Sequence, residues 1–496
     1  MRRGSLRLPL NSAQRPLVLL LAFASLLRVI LVVQGGQLYW PDERLYTEVL
    51  DTFDLHRGDW FAITRTLFAT QDHLGFALIS APLAAFQFSM SQALSRSADG
   101  LLMLPGLLLA QASVVSIALV YAIARRTGGD RVEASLAAAL MASATTMFYY
   151  ARHLLPYDSA MMLALLALWF GVGTTRRNSL ACGAAAAAAF ITYNGYWLIA
   201  GVVLLLHIAQ QGRTTVSAAL WRALYAAVGF VIVPAIIMLV DVATGAPLLV
   251  GGMSRLAATV TDGYAPEGFT LPWAYLWHAE HGLLCVWIGA VLFVVLARDR
   301  ASTRRRTAMT WVLAAIFIYV ALGVMSAILH AFVVMGRQAR QMVPFFCLAT
   351  GAVLMELRDR RRWSPRVAAV CIAALVLQAA WNFRVPLQQR FPRDVVAEIT
   401  SKYGPIDFDN TIQGPPESHE HVESQWVLFN AQHLYHPRAP RPPLPSSLLE
   451  VIRFRHPLQF LPYQYEGFEP MERQVLRAND IAMRLVDVGA PVDRLP

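Results

Sequence analysis

Apolar residues along this chain fall into runs rather than alternating, near 16 to 33, 74 to 90, 101 to 124, 133 to 150, 154 to 172, 179 to 193, 195 to 210, 223 to 241, 276 to 297, 308 to 330, 342 to 357 and 366 to 383. Each approaches the roughly 20 residues that a helix needs to cross the hydrocarbon layer of a bilayer. Polar breaks between the runs are short and rich in arginine: Arg2 to Arg15, Arg125/Arg126/Arg131, Arg176/Arg177, Arg213/Arg222, Arg298 to Arg306 and Arg358 to Arg366. Arginine-rich short loops stay on the cytoplasmic side. All six clusters share that side only if one early run does not cross. The 74 to 90 run is marginal in length, holds Pro82 and ends on Gln87 and Ser89, so the pattern predicts that it lies along the outer face. Eleven crossing helices are expected, with the N-terminus inside, a first external loop over residues 34 to 100, and an external C-terminal segment.

Composition removes the main alternatives. The 496 residues are 56% hydrophobic and 15% charged, with mean hydropathy +0.46, against about 25% charged in soluble domains. A soluble enzyme is excluded. The net charge of +10 is carried by arginine, since Lys402 is the only lysine, a bias that fits a GC-rich bacterial genome and a bacterial cytoplasmic (inner) membrane. The loop pattern makes that charge an orientation signal, so no nucleic-acid partner is expected. Cys182, Cys285, Cys347 and Cys371 all sit inside apolar runs, where cysteine behaves as a small hydrophobe, and no disulfide framework is expected. The first apolar run, too long for a signal-peptide core, reads as a retained helix. Residues 1–383 are expected to form the transmembrane domain. Residues 384–496 are rich in proline; a strand at 425–429 and a helix near 470–487 suggest a small mixed α/β domain.

The first external loop is acidic, and its opening stretch is the most informative in the chain: Trp40-Pro41-Asp42-Glu43-Arg44-Leu45-Tyr46-Thr47-Glu48. Leu45, Val49 and Phe53 recur at helical spacing, so 42–56 reads as an amphipathic helix at the interface. Its N-terminus holds two carboxylates at the lipid boundary. Partial desolvation there suits a general base, and plain charge complementarity with the helix dipole is the competing reading.

The pattern Pro-Asp-Glu-x-x-Tyr-x-Glu, with Gly58-Asp59-Trp60 and then Gln71-Asp72-His73-Leu74-Gly75, resembles the first external loop of the GT-C glycosyltransferases. The branch it is most similar to contains the lipid A aminoarabinose transferases and protein O-mannosyltransferases. The resemblance covers residues 1 to about 385 and is best over 38–172. It implies an all-α polytopic fold with juxtamembrane helices in the first loop, and transfer of a sugar from a polyprenyl-phosphate donor to a lipid, glycan or protein acceptor. It further implies that Asp42 is the base, with Glu43 beside it, and that no metal cofactor is required; no Asp-x-Asp motif stands in the loop. Tyr46 and Asp72 are expected to line the substrate cavity. Where aminoarabinose enzymes have Glu-Lys-Pro, this chain has Asp72-His73-Leu74, so His73 replaces a phosphate-binding lysine.

Two arginine groups are candidates for the donor phosphate. Arg152-His153-x-x-Pro156-x-Asp158 lies at an external junction, where Arg152 and Asp158 either serve the site or simply pair with each other. Gly336-Arg337-Gln338-Ala339-Arg340-Gln341-Met342-Val343-Pro344 is the net basic short loop on the outer side, with Gln341 where relatives carry tyrosine. Forked guanidinium groups suit a phosphate leaving group, so Arg340 and then Arg337 are expected to stabilise it; contact with anionic lipid headgroups is the alternative. Tyr193 and Asn194 interrupt an apolar run and line the cavity or form a turn. Loop 242–275 is a candidate lid. His278, Glu280 and His281 invite a metal reading against interfacial anchoring, and His419-Glu420-His421 has weak zinc spacing. Arg28 is expected to snorkel to the interface. A transporter or flippase, and a GT-C-like binding protein without catalysis, are the rival functions.

Overall fold

The computed structural model describes residues 15–35, 37, 41–57, 59–71, 73–95, 101–209, 215–245, 268–296, 302–330, 334, 336–361, 373–374, 376–381, 383, 450–454 and 481–485. Helix α1 (Arg15–Val33) leads to a 3-10 turn, Pro41–Glu43, and three further helices: α2 (Arg44–His56), α3 (Trp60–Thr70) and α4 (Leu74–Leu94). The bundle continues with α5 (Met103–Arg126), α6 (Arg131–Ser143), the short α7 (Thr145–Phe148), α8 (Tyr157–Gly171), α9 (Arg176–Thr192), α10 (Trp197–Ala209) and α11 (Val216–Thr244). It closes with α12 (Leu271–Glu280), α13 (Gly282–Leu296), α14 (Thr303–Gly323) and α15 (Val343–Arg361). Among the described residues, five helices are long and apolar enough to cross a membrane: α1, α4, α5, α11, and α14 with its π-helical extension to Ile328. Shorter apolar helices occupy Tyr157–Gly171, Asn194–Ala209 and Gly282–Leu296.

Helix starts follow the sequence closely at one end of the bundle. Asp130, Thr175, Thr215 and Ser302 each accept a hydrogen bond from a first-turn amide of the helix that follows, as short polar N-caps do. At that end Arg304 gathers three carboxylates: Asp130 at 2.9 Å, Glu133 at 3.1 Å, and Asp359. The clasp ties the starts of α6 and α14 to the end of α15.

The α9–α11 contact explains the alanine-rich tract 184–189. A Cβ placed on Gly183 would lie 1.9 Å from the Ala226 carbonyl oxygen, and one on Gly229 would lie 2.0 Å from that of Leu180. Small residues let two backbones approach where lipid offers no hydrophobic drive for association.

The first-loop helices form a layer of their own. Tyr46, Val49, Leu50 and Phe53 of α2 pack with Ile63, Leu67, Phe76, Ala77, Ala84, Leu102 and Leu154. The Gly-Asp-Trp motif is structural here: Asp59 caps α3 through the amides of Phe61 and Ala62, and Trp60 meets the Phe53 ring edge-on at 5.3 Å. By length and composition α4 could cross a membrane, yet its contacts run along this layer. Gly75 lies against Thr192, and the Tyr46 hydroxyl donates to Gln87 at 2.7 Å.

Several runs break where a single helix is expected. The 133–150 run stops at Ala144 and continues as α7 and a 3-10 turn, Tyr149–Arg152. The 276–297 run is split at His281, which has φ +47°. Arg28 does not snorkel: it is fully buried and donates to Ser113 Oγ and the Ala24 carbonyl, both at 3.3 Å. The bundle supplies acceptors at that depth, so the side chain has no need to reach the interface. In the C-terminal segment Glu450–Phe454 pairs antiparallel with Ile481–Leu485, so a strand stands within the expected 470–487 helix; 425–429 lies outside the described residues, as do most of residues 384–496.

Two outcomes are expected. A Ser95→Cys chain in closed inside-in vesicles reacts with a membrane-impermeant thiol reagent added outside, judged against the unsubstituted chain; protection would mean that α4 crosses. Gly183→Leu, forced against the Ala226 carbonyl, destabilises by about 2 kcal/mol or more, read as a drop in the detergent-solubilised melting temperature.

Candidate active site

Residues 336–342 form a 3-10 helix, Gly336–Met342. With three residues per turn, positions three apart eclipse, so Arg337 and Arg340 share a face. Opposite them, Tyr157 and Asp158 open α8 immediately after Pro156. Two acid–arginine pairs result. Arg340 pairs with Asp158, and its guanidinium lies 4.7 Å from the centre of the Tyr150 ring. Arg337 Nη1 lies 3.3 Å from Asp42 Oδ2, with Tyr157 beneath its guanidinium at 5.3 Å. Arg337 Nε also donates to the Tyr193 hydroxyl at 3.1 Å. The Tyr157 hydroxyl donates to Asp42 Oδ2 at 2.7 Å.

The pairs differ in the solvent access of their carboxylates. Arg340 is wholly buried and Asp158 and Arg337 nearly so, whereas the Asp42 side chain is 41% exposed. Burial pulls the Asp42 pKa upward, but Arg337, the Tyr157 hydroxyl, His73 and Arg44 together outweigh it and hold the carboxyl below its ordinary value. His73 completes this wall, its ring 5.5 Å from that of Tyr193. Tyr193 also meets Tyr157 at 4.8 Å and Tyr196 at 5.1 Å.

The structure therefore brings together Asp42, His73, Asp158, Tyr193, Arg337 and Arg340. Asn194 begins the adjoining 3-10 turn, Asn194–Tyr196. Asp158 takes Arg340 rather than Arg152 as its partner, although the 149–152 turn also reaches the start of α8 through Tyr150, whose ring meets Tyr157 at 5.2 Å. Arg152 is fully buried, and its carbonyl accepts from Gln37 Nε2 at 3.1 Å. Glu43 is also fully buried. Its Oε1 accepts from the Leu154 amide at 2.7 Å, and Oε2 lies 3.4 Å from His153 Nδ1, so it secures the chain entering α8 and turns away from the opening. Tyr46 likewise points into the first-loop core toward Gln87 instead of lining the cavity. Asp72 lies outside the described residues, as does most of the candidate lid.

Two residues that stand out in the sequence for other reasons act as supports. Glu280, read with His278 and His281 as a possible metal ligand, accepts instead from the amides of Thr145 and Thr146, both at 2.8 Å, and from Thr146 Oγ1 at 2.6 Å, fixing the turn that carries Tyr150. Gln341 accepts from the Ile199 amide at 2.9 Å and donates to the Gly195 carbonyl at 3.1 Å. Among the described residues no group of three His, Cys, Asp or Glu side chains is arranged to hold a metal. A cavity of about 220 Å³, lined by residues including Leu168, His207, Thr310 and Trp311, sits at the opposite end of these helices. His207 is bonded there to Gly171 and Ser179, so this space is separate from the acid–arginine pairs.

No protein-family model and no curated protein matches the sequence. Solved structures do align with it. ArnT from Cupriavidus metallidurans bound to undecaprenyl phosphate aligns over 85% of this chain and 76% of its own, at 16% identity and a TM-score of 0.50. The apo form of that protein aligns over 91% and 77%, at 14% and 0.47. An Archaeoglobus fulgidus oligosaccharyltransferase tethered to an acceptor peptide aligns over 86% of this chain and 60% of its own, at 14% and 0.45. The first of these carries the fold: the chain shares the polytopic helical architecture of that ArnT structure, in line with the fold that the first-loop resemblance implied.

Because the folded state lowers the Asp42 pKa, the ionised carboxylate contributes stability that is fully present above its unfolded value near 3.8 and is lost as pH falls through the lower folded value. Wild type is expected to exceed Asp42→Asn by roughly 0.5–1 kcal/mol at pH 7, the scale of a partly exposed pair. The gap should narrow as the pH falls below about 4; a gap that keeps its full size however far the pH is lowered would rule out the ion pair as its source.

Proposed function

We propose that this chain is a multi-pass membrane glycosyltransferase that moves a sugar from a polyprenyl-phosphate donor to an acceptor hydroxyl on the outer side of the membrane. The observation that carries the reading is Asp42: a half-exposed carboxylate fixed by Tyr157 and Arg337 at one end of a GT-C-like bundle. The ArnT structure with the same fold holds undecaprenyl phosphate, the donor class the first-loop motif implies. In this reading eleven helices cross, α2 to α4 lie along the outer face, and residues 384–496 form an external domain.

The acceptor oxygen bonds to the anomeric carbon while the bond from that carbon to the phosphate oxygen breaks. Its proton passes to Asp42, and the electron pair leaves on the polyprenyl phosphate. A single displacement of this kind inverts the anomeric centre. Arg337, in contact with Asp42, meets the departing phosphate; Arg340, enclosed with Asp158, shapes the field behind it. Positioning and fixed charge supply most of the acceleration.

The test is turnover by the purified chain with a panel of polyprenyl-phosphate sugars. Asp42→Asn is expected to lower transfer by about 10²–10⁴-fold, the usual contribution of a positioned base, while Glu43→Gln acts through stability. Transfer unchanged in Asp42→Asn would remove the base assignment. Absence of transfer or hydrolysis with every donor, together with lipid movement across vesicles, would replace the enzyme by a flippase.

A further inference from the structure

The proposed base begins the cycle already engaged by a cation. Asp42 Oδ2 receives both the Tyr157 hydroxyl and Arg337 Nη1, and a carboxylate in a cation's field is a poor proton acceptor. Arg337 holds Asp42 through one nitrogen while Nε is spent on Tyr193. A phosphate group carries more charge and more acceptor oxygens than a carboxylate, and suits a guanidinium fork. Arg340 is differently placed: it is wholly enclosed by Asp158 and Tyr150, so exchange there would require opening the core.

We propose that Arg337 is an exchangeable counter-ion, which holds Asp42 in the empty site and is taken over by the phosphate of the polyprenyl-phosphate donor, leaving Asp42 to accept the acceptor's proton. The proposal rests on the glycosyltransferase reading and adds an order of events to it. The base gains strength only when the donor is seated. The other groups around Asp42 keep their places: Tyr157 remains its hydrogen-bond donor, His73 and Arg44 remain nearby positive groups, Glu43 stays on Leu154 and His153, and Asp158 stays on Arg340. Donor phosphate and Asp42 thus compete for one guanidinium. By linkage, each weakens the other's hold on it.

Competition has a counter-intuitive consequence: the variant lacking the base should bind the lipid phosphate more tightly. The probe is undecaprenyl phosphate without sugar, titrated at pH 7 into the full-length chain in nanodiscs. Asp42→Asn is expected to bind about three- to tenfold tighter than wild type, the scale of one partly exposed ion pair. In an Arg337→Gln background binding weakens, and adding Asp42→Asn brings no gain. A gain that survives in that background would mean simple charge repulsion, and no gain in the single variant would likewise overturn the exchange.

Proton uptake gives a second readout that does not need the arginine variant. Titrations at pH 5 in buffers of different ionisation enthalpy are expected to show more proton uptake by wild type than by Asp42→Asn, because the freed carboxylate regains proton affinity. Equal uptake would overturn the proposal. If wild type binds no undecaprenyl phosphate at all, the donor reading falls with it; binding without the Asp42 effects removes the exchange alone.

Discussion

A backbone that breaks its helices among buried residues must satisfy its freed amides and carbonyls from within, and at the Asp42 end of this bundle buried side chains do so. Glu280 takes the amides of Thr145 and Thr146. Glu43 takes that of Leu154, Gln341 serves Ile199 and Gly195, and Gln37 serves the carbonyls of Val32 and Arg152. All but the Gln37–Val32 bond join segments remote in sequence. Together they hold three interruptions at one level, and these interruptions present Tyr150, Tyr157, Asp158 and Tyr193. The site exists because the helices stop there.

The same constraint divides the charged groups into two kinds. Glu43, Glu280 and Asp158 are closed off by amides, hydroxyls or arginine, and breaking a buried pair by removing one member costs about 3–5 kcal/mol. Asp42 is the exposed member of its pair with Arg337, and solvent reaching it weakens their attraction. A stable pair behind a weaker one gives a rigid floor beneath an exchangeable contact. Tyrosine fills the space between them, and its hydroxyls bond at the rim while its rings face the guanidinium groups.

Much of this was legible in the residues. Run lengths pointed to a helical bundle, and the first-loop motif pointed to the fold shared with the ArnT structure. Asp42 stood out through the first-loop motif, Arg337 and Arg340 as basic residues on the expected outer side, Tyr193 as a polar break in an apolar run, and Asp158 because ionisable groups near membrane depth are costly unless they face a cavity. Their partnerships were not legible, since Arg152 and Arg340 are equally plausible mates for Asp158 until the 3-10 turn at 336–342 is known. Glu43 and Tyr46 misled for a related reason. A motif records which residues a loop needs, without separating those that face the opening from those that fix the loop. Gly183 and Gly229 were unremarkable in sequence because close backbone approach leaves no periodic signal, only small residues.

The 3-10 turn binds the two pairs into one device. An α-helix would rotate its third successor by about 300°, moving Arg340 off the direction of Arg337, whereas three residues per turn keeps both aligned. Arg340 cannot leave Asp158 without unburying charge, so its anchor fixes the axis on which Arg337 is carried. Arg337 then changes partner by side-chain rotation alone, with Tyr193 and the face of Tyr157 limiting how far it swings. Glutamine at position 341 extends this logic: both ends of its amide are committed to the 195–199 backbone, and the turn that carries Tyr193 is thereby locked to the turn that carries both arginines. The amide makes the two bonds through separate atoms, an acceptor oxygen and a donor nitrogen. Gln341 is therefore part of how this chain holds its site.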